Sequence, residues 1–415
     1  MSKTAQSDTG IGSKAVILAV VGSTFFVGFG GGVIFPILPN LGVVLGITPF
    51  MVGIILSANR FTRLFMNAPA GMFADRFGTR KPFIIGLFIQ GFATLGYVIA
   101  LNSTLPEAWF LAARLLWGIG SAFVFATAYT IVADITPSES RGLGMGVVRG
   151  GITLGFPTGV VLGGIVSEWY GISEAFILAA VFALLAGVVA FATVPETHVE
   201  EENSTVKPWD VDTSIPAVTV GLVNFGLYFA YIGALFASLV IFLDAYDIGV
   251  FGFGAQGSSG IFMAVTVLSA SAFMIIGGKM SDMLSSRVPP LMGFIGVSFI
   301  GFILLTLSTE IYVLTIACIL IGAGQGGTSG PLIALLADLT PSDRMGRAMG
   351  TNNVFGDIGG GLGPVVTLPL IDWVGFAPIY AACAVIPLLA GAVLLVGIRR
   401  ETGSALPKTD LVSAD

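Results

Sequence analysis

The chain has 415 residues, of which 55% are hydrophobic and only 10% charged, and its mean hydropathy is +0.95. Soluble globular proteins carry about a quarter charged residues, so an ordinary soluble enzyme, a nucleic-acid binder and a disordered chain are all excluded. The net charge of −6 leaves no basic footprint for nucleic acid. Cys318 and Cys383 both lie inside apolar runs, where they read as buried small hydrophobes and not as a disulfide or metal framework. A single histidine, His198, sits in a polar stretch, which removes most zinc and Ser-His-Asp chemistry and leaves no metal site to expect.

A membrane helix needs about 20 apolar residues. In chain order the apolar runs predict spans at 14–40, 48–73, 82–101, 107–133, 145–167 and 174–194. Six more follow at 214–243, 251–280, 289–308, 311–337, 345–371 and 376–397. The first run is too long, and lacks the small-residue cleavage site, to be a signal peptide. The expectation is an all-α membrane protein of twelve transmembrane helices. Pro36 and Pro39 predict a kink at the end of span 1. Gly359-Gly360-Gly361 with Pro364 predicts a flexible point in span 11.

Charge sets the expected orientation. Arg60, Arg63, Arg114 and Arg149 lie inside spans. The other 14 of the 18 Lys and Arg fall in, or within a few residues of, the N-terminus, the loops after even-numbered spans and the C-terminal tail. The positive-inside rule then puts both termini in the cytoplasm and the chain in the cytoplasmic membrane. The opposite loops carry only acids: Glu107, Glu168, Glu174, Asp244, Asp247, Glu310 and Asp372.

The longest charged stretch, Pro195 to Asp212, divides the spans into six plus six. It predicts a tail at 1–13, a six-helix bundle at 14–194, a cytoplasmic linker at 195–213, a second bundle at 214–398 and a tail at 399–415. The halves also repeat. Ala133-Asp134-Ile135-Thr136-Pro137-Ser138 returns 204 residues later as Ala337-Asp338-Leu339-Thr340-Pro341-Ser342. The same shift aligns Gly142, Met145, Gly146, Gly155 and Gly159 with Gly346, Met349, Gly350, Gly359 and Gly363. Two pseudo-symmetric six-helix halves are a transporter architecture.

The loop after span 2 runs from Gly71 through Asp75, Arg76, Gly78 and Arg80 to Lys81. It resembles the G-x-x-x-D-R-x-G-x-R-K signature of the major facilitator superfamily at every key position. Gly278, Asp282 and Arg287 form a weaker copy after span 8, with Pro289 matching Pro82. In span 4, Arg114-Leu-Leu-Trp117-Gly118-Ile-Gly120 resembles a second family motif, with Trp117 in place of a polar residue. Span 5 resembles the glycine-rich motif of drug:proton antiporters through Gly146, Gly155, Gly159, Gly163 and Gly164. Val160 occupies the place of its proline, and Pro157 lies three residues earlier. The mirror stretch of span 11 has Gly350, Gly359, Gly363 and Pro364, but Thr367-Leu368 replaces the final glycine pair. The resemblance implies the major facilitator fold, alternating access, a monomer, and a cytoplasmic gate made of Gly71, Asp75, Arg76, Gly78, Arg80, Asp134 and Arg141. Its glycine-rich helices favour efflux, while the same glycines also serve close helix packing.

Ionisable residues within a span cost roughly 2.5–3.5 kcal/mol each on insertion scales, so their presence asks for a reason. Arg60 lies near the middle of span 2, with Arg63 one turn on, and Asn59, Arg63 and Asn67 form an i, i+4 polar stripe. Asp357 lies about twelve residues into span 11, roughly 18 Å. It is the one carboxylate placed well inside a span, with Asn353 one turn before it. Because the resemblance brings spans 2 and 11 together between the halves, Asp357 is expected to face Arg60 or Arg63. An Asp held against an Arg stays ionised, and withdrawal of the Arg lets it take a proton. The alternative is a static ion pair.

Arg114 joins this coupling set. Arg149, Asn353, Asn224, Tyr228, Tyr231, Gln325, Phe26 and Phe29 are the expected substrate-cavity residues, although an aromatic taken alone is more often a packing or lipid contact. Arg60, Arg114 and Arg149 together would suit an anionic or zwitterionic substrate. No nucleotide-binding loop, H-E-x-x-H or histidine constellation occurs in the sequence, so an enzyme is not expected. No cofactor is expected either: the drive would be an ion gradient, H⁺ first. The expectation is secondary transport of a small organic molecule, by proton-coupled antiport, with uptake symport or facilitation of an organic anion or zwitterion as the alternative.

Overall fold

The computed structural model describes residues 13–136, 141–197, 211–341 and 344–407. Among them are fourteen α-helices and one π-helical stretch, with no strand beyond an isolated bridge between Val250 and Phe253. In a bilayer every backbone polar group must be satisfied within the protein, and helices of this length do so.

The helices are α1 (Ser13–Val33), α2 (Leu38–Leu45), α3 (Pro49–Phe77), α4 (Arg80–Leu101), α5 (Pro106–Ile135), α6 (Arg141–Trp169) and α7 (Ile172–Thr193). Then come α8 (Ile215–Tyr228), the π-helical stretch (Phe229–Phe236), α9 (Ala237–Ala245), α10 (Ala255–Met283) and α11 (Val288–Leu307). The last three are α12 (Ile311–Asp338), α13 (Met345–Val374) and α14 (Phe376–Thr402). Among the described residues, eleven segments are long and apolar enough to cross a membrane. The predicted span 2 is absent from those eleven. Its helix, α3, is 29 residues long, but Asn59, Arg60, Arg63, Asp75 and Arg76 depress its hydropathy.

Two predicted spans are not continuous α-helices. Span 1 breaks between Val33 and Leu38, at Pro36, whose ring removes a backbone donor. Span 7 changes from α to π at Phe229 and back at Ala237. Such π turns shift the register of the side chains that follow, and nothing in the apolar pattern signals one.

The described chain forms two compact units. One comprises residues 1–34 and 62–208; the other comprises 35–61 and 209–415. Residues 35–61, assigned to the first bundle by the sequence, therefore pack with the second unit. The central charged stretch lies mostly outside the described residues, as do His198, Pro137, Ser138 and Ser342.

The units are built alike. In the first, Gly155 and Gly159 of α6 lie so close to the α1 backbone that a Cβ on either would run into the Phe25 or Phe29 carbonyl. In the second, Gly359 and Gly363 of α13 lie equally close to Phe225 of α8 and Gly233 of the π stretch. Gly163 meets Val33 in the same way, whereas Gly146 faces open space. The glycine pattern thus serves close backbone approach, which lets dispersion contacts accumulate where no hydrophobic effect drives helices together.

Core side chains differ in detail. Phe83, Leu87, Trp117, Val124 and Ile131 centre the first unit. Val220, Leu227, Leu291, Ile295, Leu332 and Leu394 centre the second. Large apolar side chains also point outward, among them Phe92, Leu185, Phe191, Ile275, Leu389 and Val396. In water they would be a liability, but a bilayer makes them a lipid-facing coat.

Candidate functional site

The strongest constellation joins α3 and α13 within the second unit. The two helices run antiparallel along a short stretch. Gly53 lies against the backbone of Pro364, Ser57 donates its hydroxyl to the Gly361 carbonyl, and Arg60 reaches Asp357. The glycines permit this approach, since a Cβ on Gly361 would meet the Phe61 ring at 2.9 Å and one on Gly360 the Arg60 guanidinium at 3.1 Å.

Arg60 Nη1 lies 3.4 Å from Asp357 Oδ1, and the side chains are only 14% and 13% exposed. Arg60 is eleven residues from the start of α3 and Asp357 twelve from the start of α13, so each charge lies about 17–18 Å along its helix. Both charges are thus held far from the helix ends, where a lone charge is costly and a paired one tolerable.

α8 supports this region. Asn224 Nδ2 donates to the Asn352 carbonyl at 2.9 Å, and Asn224 and Tyr228 both lie against Gly356. Asn352 is 5% exposed, and its side-chain oxygen has no hydrogen-bond partner among the described residues. Asn353, its neighbour, is exposed. Tyr231 follows the switch to π-helix and is buried, with its ring 4.8 Å from Phe236. Gln325 is half-buried in α12, its side-chain oxygen again without a described partner.

The remaining coupling and cavity candidates belong to the first unit. Arg63 stands 5.5 Å from the Phe125 ring centre. Arg114 is 1% exposed, lies 5.7 Å over the Trp117 ring and sits beside Tyr97. The substitution of Trp for a polar residue at position 117 thereby gives this arginine a π face to rest on. Arg149 is exposed and near Tyr129. Phe29 is almost fully buried, and both Phe26 and Phe29 pack on Phe182. These two rings are therefore packing residues of the α1–α7 contact.

The loop between α3 and α4 turns at Gly78, whose φ of +87° suits glycine. α4 begins without a side-chain cap of its own. Glu196, from the end of α7, supplies one: its Oε1 accepts from the Thr79 amide at 2.7 Å, the Thr79 hydroxyl at 3.1 Å and the Arg80 amide at 3.4 Å. A carboxylate at a helix N-terminus satisfies orphan N–H groups and opposes the helix dipole. Arg80 donates to the Phe191 carbonyl at 2.7 Å and lies over the Phe191 ring. Asp75, Arg76 and Asp134 are exposed, Arg76 over Phe77, and Gly71 is half-buried. The Arg141 side chain lies outside the described residues.

The weaker copy in the second unit is bound more fully. Arg287 Nη1 pairs with Asp282 Oδ1 at 2.6 Å, and its Nε pairs with Asp338 Oδ2 at 3.1 Å. Burial opposes the Arg287 charge, but the hydrogen bonds and charges of both aspartates outweigh it and raise its pKa. Asp338 is the repeat partner of Asp134, so the repeated Ala-Asp motif supplies one arm of this clamp.

Sequence reasoning passed over Glu196, Ser57, Asn352 and Asp212. Asp212 accepts from the Ser214 amide at 2.8 Å and ties to α13 through the Thr351 hydroxyl. No sequence signal marks such partners: Thr79 and Ser214 are themselves good N-cap residues, and only the structure shows that their side chains do not cap.

The described residues hold no group of three metal-binding side chains. The arrangement offers instead a semi-buried ion pair about midway along two long helices, with polar amides one turn away. Comparison with known proteins agrees. The Major Facilitator Superfamily profile matches residues 20–364 and 309–412. An uncharacterized MFS-type transporter of Methanocaldococcus jannaschii is 28% identical over 91% of this chain and 97% of its own. Multidrug resistance protein 2 of Bacillus subtilis is 25% identical over 94% and 95%. Among solved structures, a bacterial homolog of the human lysosomal transporter Spinster covers 95% of this chain and 98% of its own, with a TM-score of 0.75 at 18% identity. The human organic anion transporter MFSD10 covers 92% and 99% at a TM-score of 0.64 and 19% identity. Helical units built on repeated glycine contacts, an embedded charge pair and a family match along nearly the whole chain lead to one conclusion: this multi-pass membrane protein belongs to the Major Facilitator Superfamily, a family of transporters.

Proposed function

We propose that the chain exports a small organic molecule across the cytoplasmic membrane in exchange for protons, as a monomer with both termini in the cytoplasm. The observation that carries this reading is the Arg60–Asp357 pair, 3.4 Å apart and mostly shielded from solvent. In this reading the Arg60–Asp357 pair is one of two alternating states of the carboxylate. When transport separates the helices, the carboxylate loses its partner in a poorly solvated place and takes a proton, which it returns when the pair re-forms. Arg60 thus serves as the internal counter-ion that the proton replaces. The relatives named for multidrug resistance support the outward direction, and the Lys/Arg distribution supports the orientation. No separate cofactor is needed, since the gradient supplies the free energy.

A second reading, uptake or facilitation of an organic anion or zwitterion, is favoured by the exposed Arg149 beside Tyr129. Purified protein in liposomes separates the two. With the lumen acidified relative to the bath and the protein inserted inside-out, the antiport reading predicts that an added lipophilic cation or zwitterion accumulates in the lumen. It also predicts that a protonophore abolishes the accumulation. Accumulation of an organic anion only when the bath is the acidic side would establish symport instead.

A further inference from the structure

At the acidic end of the second unit, a cleft of about 310 Å³ opens between the ends of α9, α11, α12 and α14. Three aromatic rings line it. Phe242 lies 4.9 Å from Tyr246 and 5.2 Å from Phe376, and Tyr246 lies 6.0 Å from Phe376, ring centre to ring centre. Phe242 is buried, while Tyr246 is half exposed at the mouth. The remaining wall is the turn from Leu305 to Glu310 and Ala377. Glu310 places a carboxylate on this wall, and among the described residues no hydrogen bond or ion pair engages it.

The geometry points to a binding site for a compact organic cation, of the quaternary or tertiary ammonium class, held by the Phe242–Tyr246–Phe376 ring cluster and the Glu310 carboxylate. Four points select that class. The volume is at the lower end of small-molecule pockets. Aromatic faces attract cations, and more strongly when desolvated. No Lys or Arg lines the cleft, so nothing there would bind an anion by charge. The helix dipoles do not decide the sign: α9 and α11 end here with their negative poles, and α12 and α14 begin here with their positive ones. The flanking Asp244, Asp247 and Asp372 add negative potential from the adjoining loops. This site stands apart from the Arg60–Asp357 pair and holds whether or not that pair carries protons.

The test is equilibrium binding of benzyltrimethylammonium to the full chain in lipid nanodiscs, followed by calorimetry. Glu310→Gln, Tyr246→Leu and Asp357→Asn are compared with the wild type, and 3,3-dimethylbutanol serves as an uncharged tert-butyl competitor. Glu310 and Tyr246 lie at the surface, and an unchanged melting temperature verifies that each variant is folded. The expected result is saturable binding, weakened about tenfold by Glu310→Gln and about fivefold by Tyr246→Leu, which are usual losses for removing a charge or a cation-binding ring. Asp357→Asn should leave it intact, and the alcohol should not compete. Absence of saturable binding would overturn the assignment. So would binding that Asp357→Asn abolishes and Glu310→Gln spares, or equal competition by the neutral alcohol.

Discussion

Glu196 and Asp212 show how single carboxylates tie chain segments to helix starts. Glu196 bonds three donors at the beginning of α4, and Gly78 leaves no room for a side chain beside it. An alanine at position 78 meets both a left-handed backbone, which costs about 1–2 kcal/mol, and the Glu196 carboxylate. Gly78→Ala is therefore expected to lower stability by that amount or more in detergent melts. Adding Glu196→Ala should cost clearly less in that background than alone, because the contact is already lost. At Asp212, burial raises the carboxyl's pKa, but the Ser214 amide and hydroxyl and the nearby Arg344 and Arg347 outweigh it and hold the group below the usual carboxylate range. A group whose pKa is depressed on folding stabilises the fold above its unfolded value and loses that contribution as pH falls through its folded value. Asp212→Ala should therefore cost about 1 kcal/mol at pH 7, the usual worth of such a capping contact. The gap between the unfolding midpoints of variant and wild type should begin to close only below about pH 4, where free aspartates protonate, and close fully at lower pH, once the folded carboxyl protonates too.

At the scale of elements, helix packing follows the glycines. In the second unit, a Cβ on Gly326 of α12 would strike the Ala270 carbonyl of α10, and one on Gly277 of α10 would strike Gly327 of α12. Backbones this close cannot yield without moving a whole helix. Gly326→Ala should accordingly lose about 1–3 kcal/mol, the cost of overpacking a tight core, measured as a drop in thermal midpoint. Much of this level was legible in the sequence. Apolar runs located the helices, Pro36 marked the break after α1, and the 204-residue repeat paired Gly155 and Gly159 with Gly359 and Gly363. The π-helical stretch was not legible. Phe229–Phe236 is apolar apart from the Tyr231 hydroxyl, and an apolar run reads alike in either helix. For Phe26 and Phe29 the sequence left cavity wall and packing both open, because an aromatic at helical spacing looks the same in either, and the structure packs both rings on Phe182.

For the whole molecule, the charge pattern carried most of the information. Arg60 and Asp357 stood out in the sequence because charges inside a span are costly, and the structure places them 3.4 Å apart. What the sequence could not reveal was the partition of the fold. Residues 35–61 pack with the second unit, so this pair, expected to link two halves, lies inside one unit, a few residues before α3 passes into the other. The family profile along nearly the whole chain establishes the family, and relatives at 25–28% identity leave the cargo open.

The central claim is that Asp357 carries the transported proton. The direct measurement is internal pH in liposomes holding a trapped pH dye. A substrate panel of lipophilic cations, zwitterions and organic anions is applied to the wild type and to a stably folded Asp357→Asn variant. The account predicts a substrate-triggered pH change for one class in the wild type and none in the variant, with downhill substrate exchange retained. Substrate-driven proton movement at the wild-type rate in Asp357→Asn would contradict it and leave the Arg60–Asp357 pair a static structural bond.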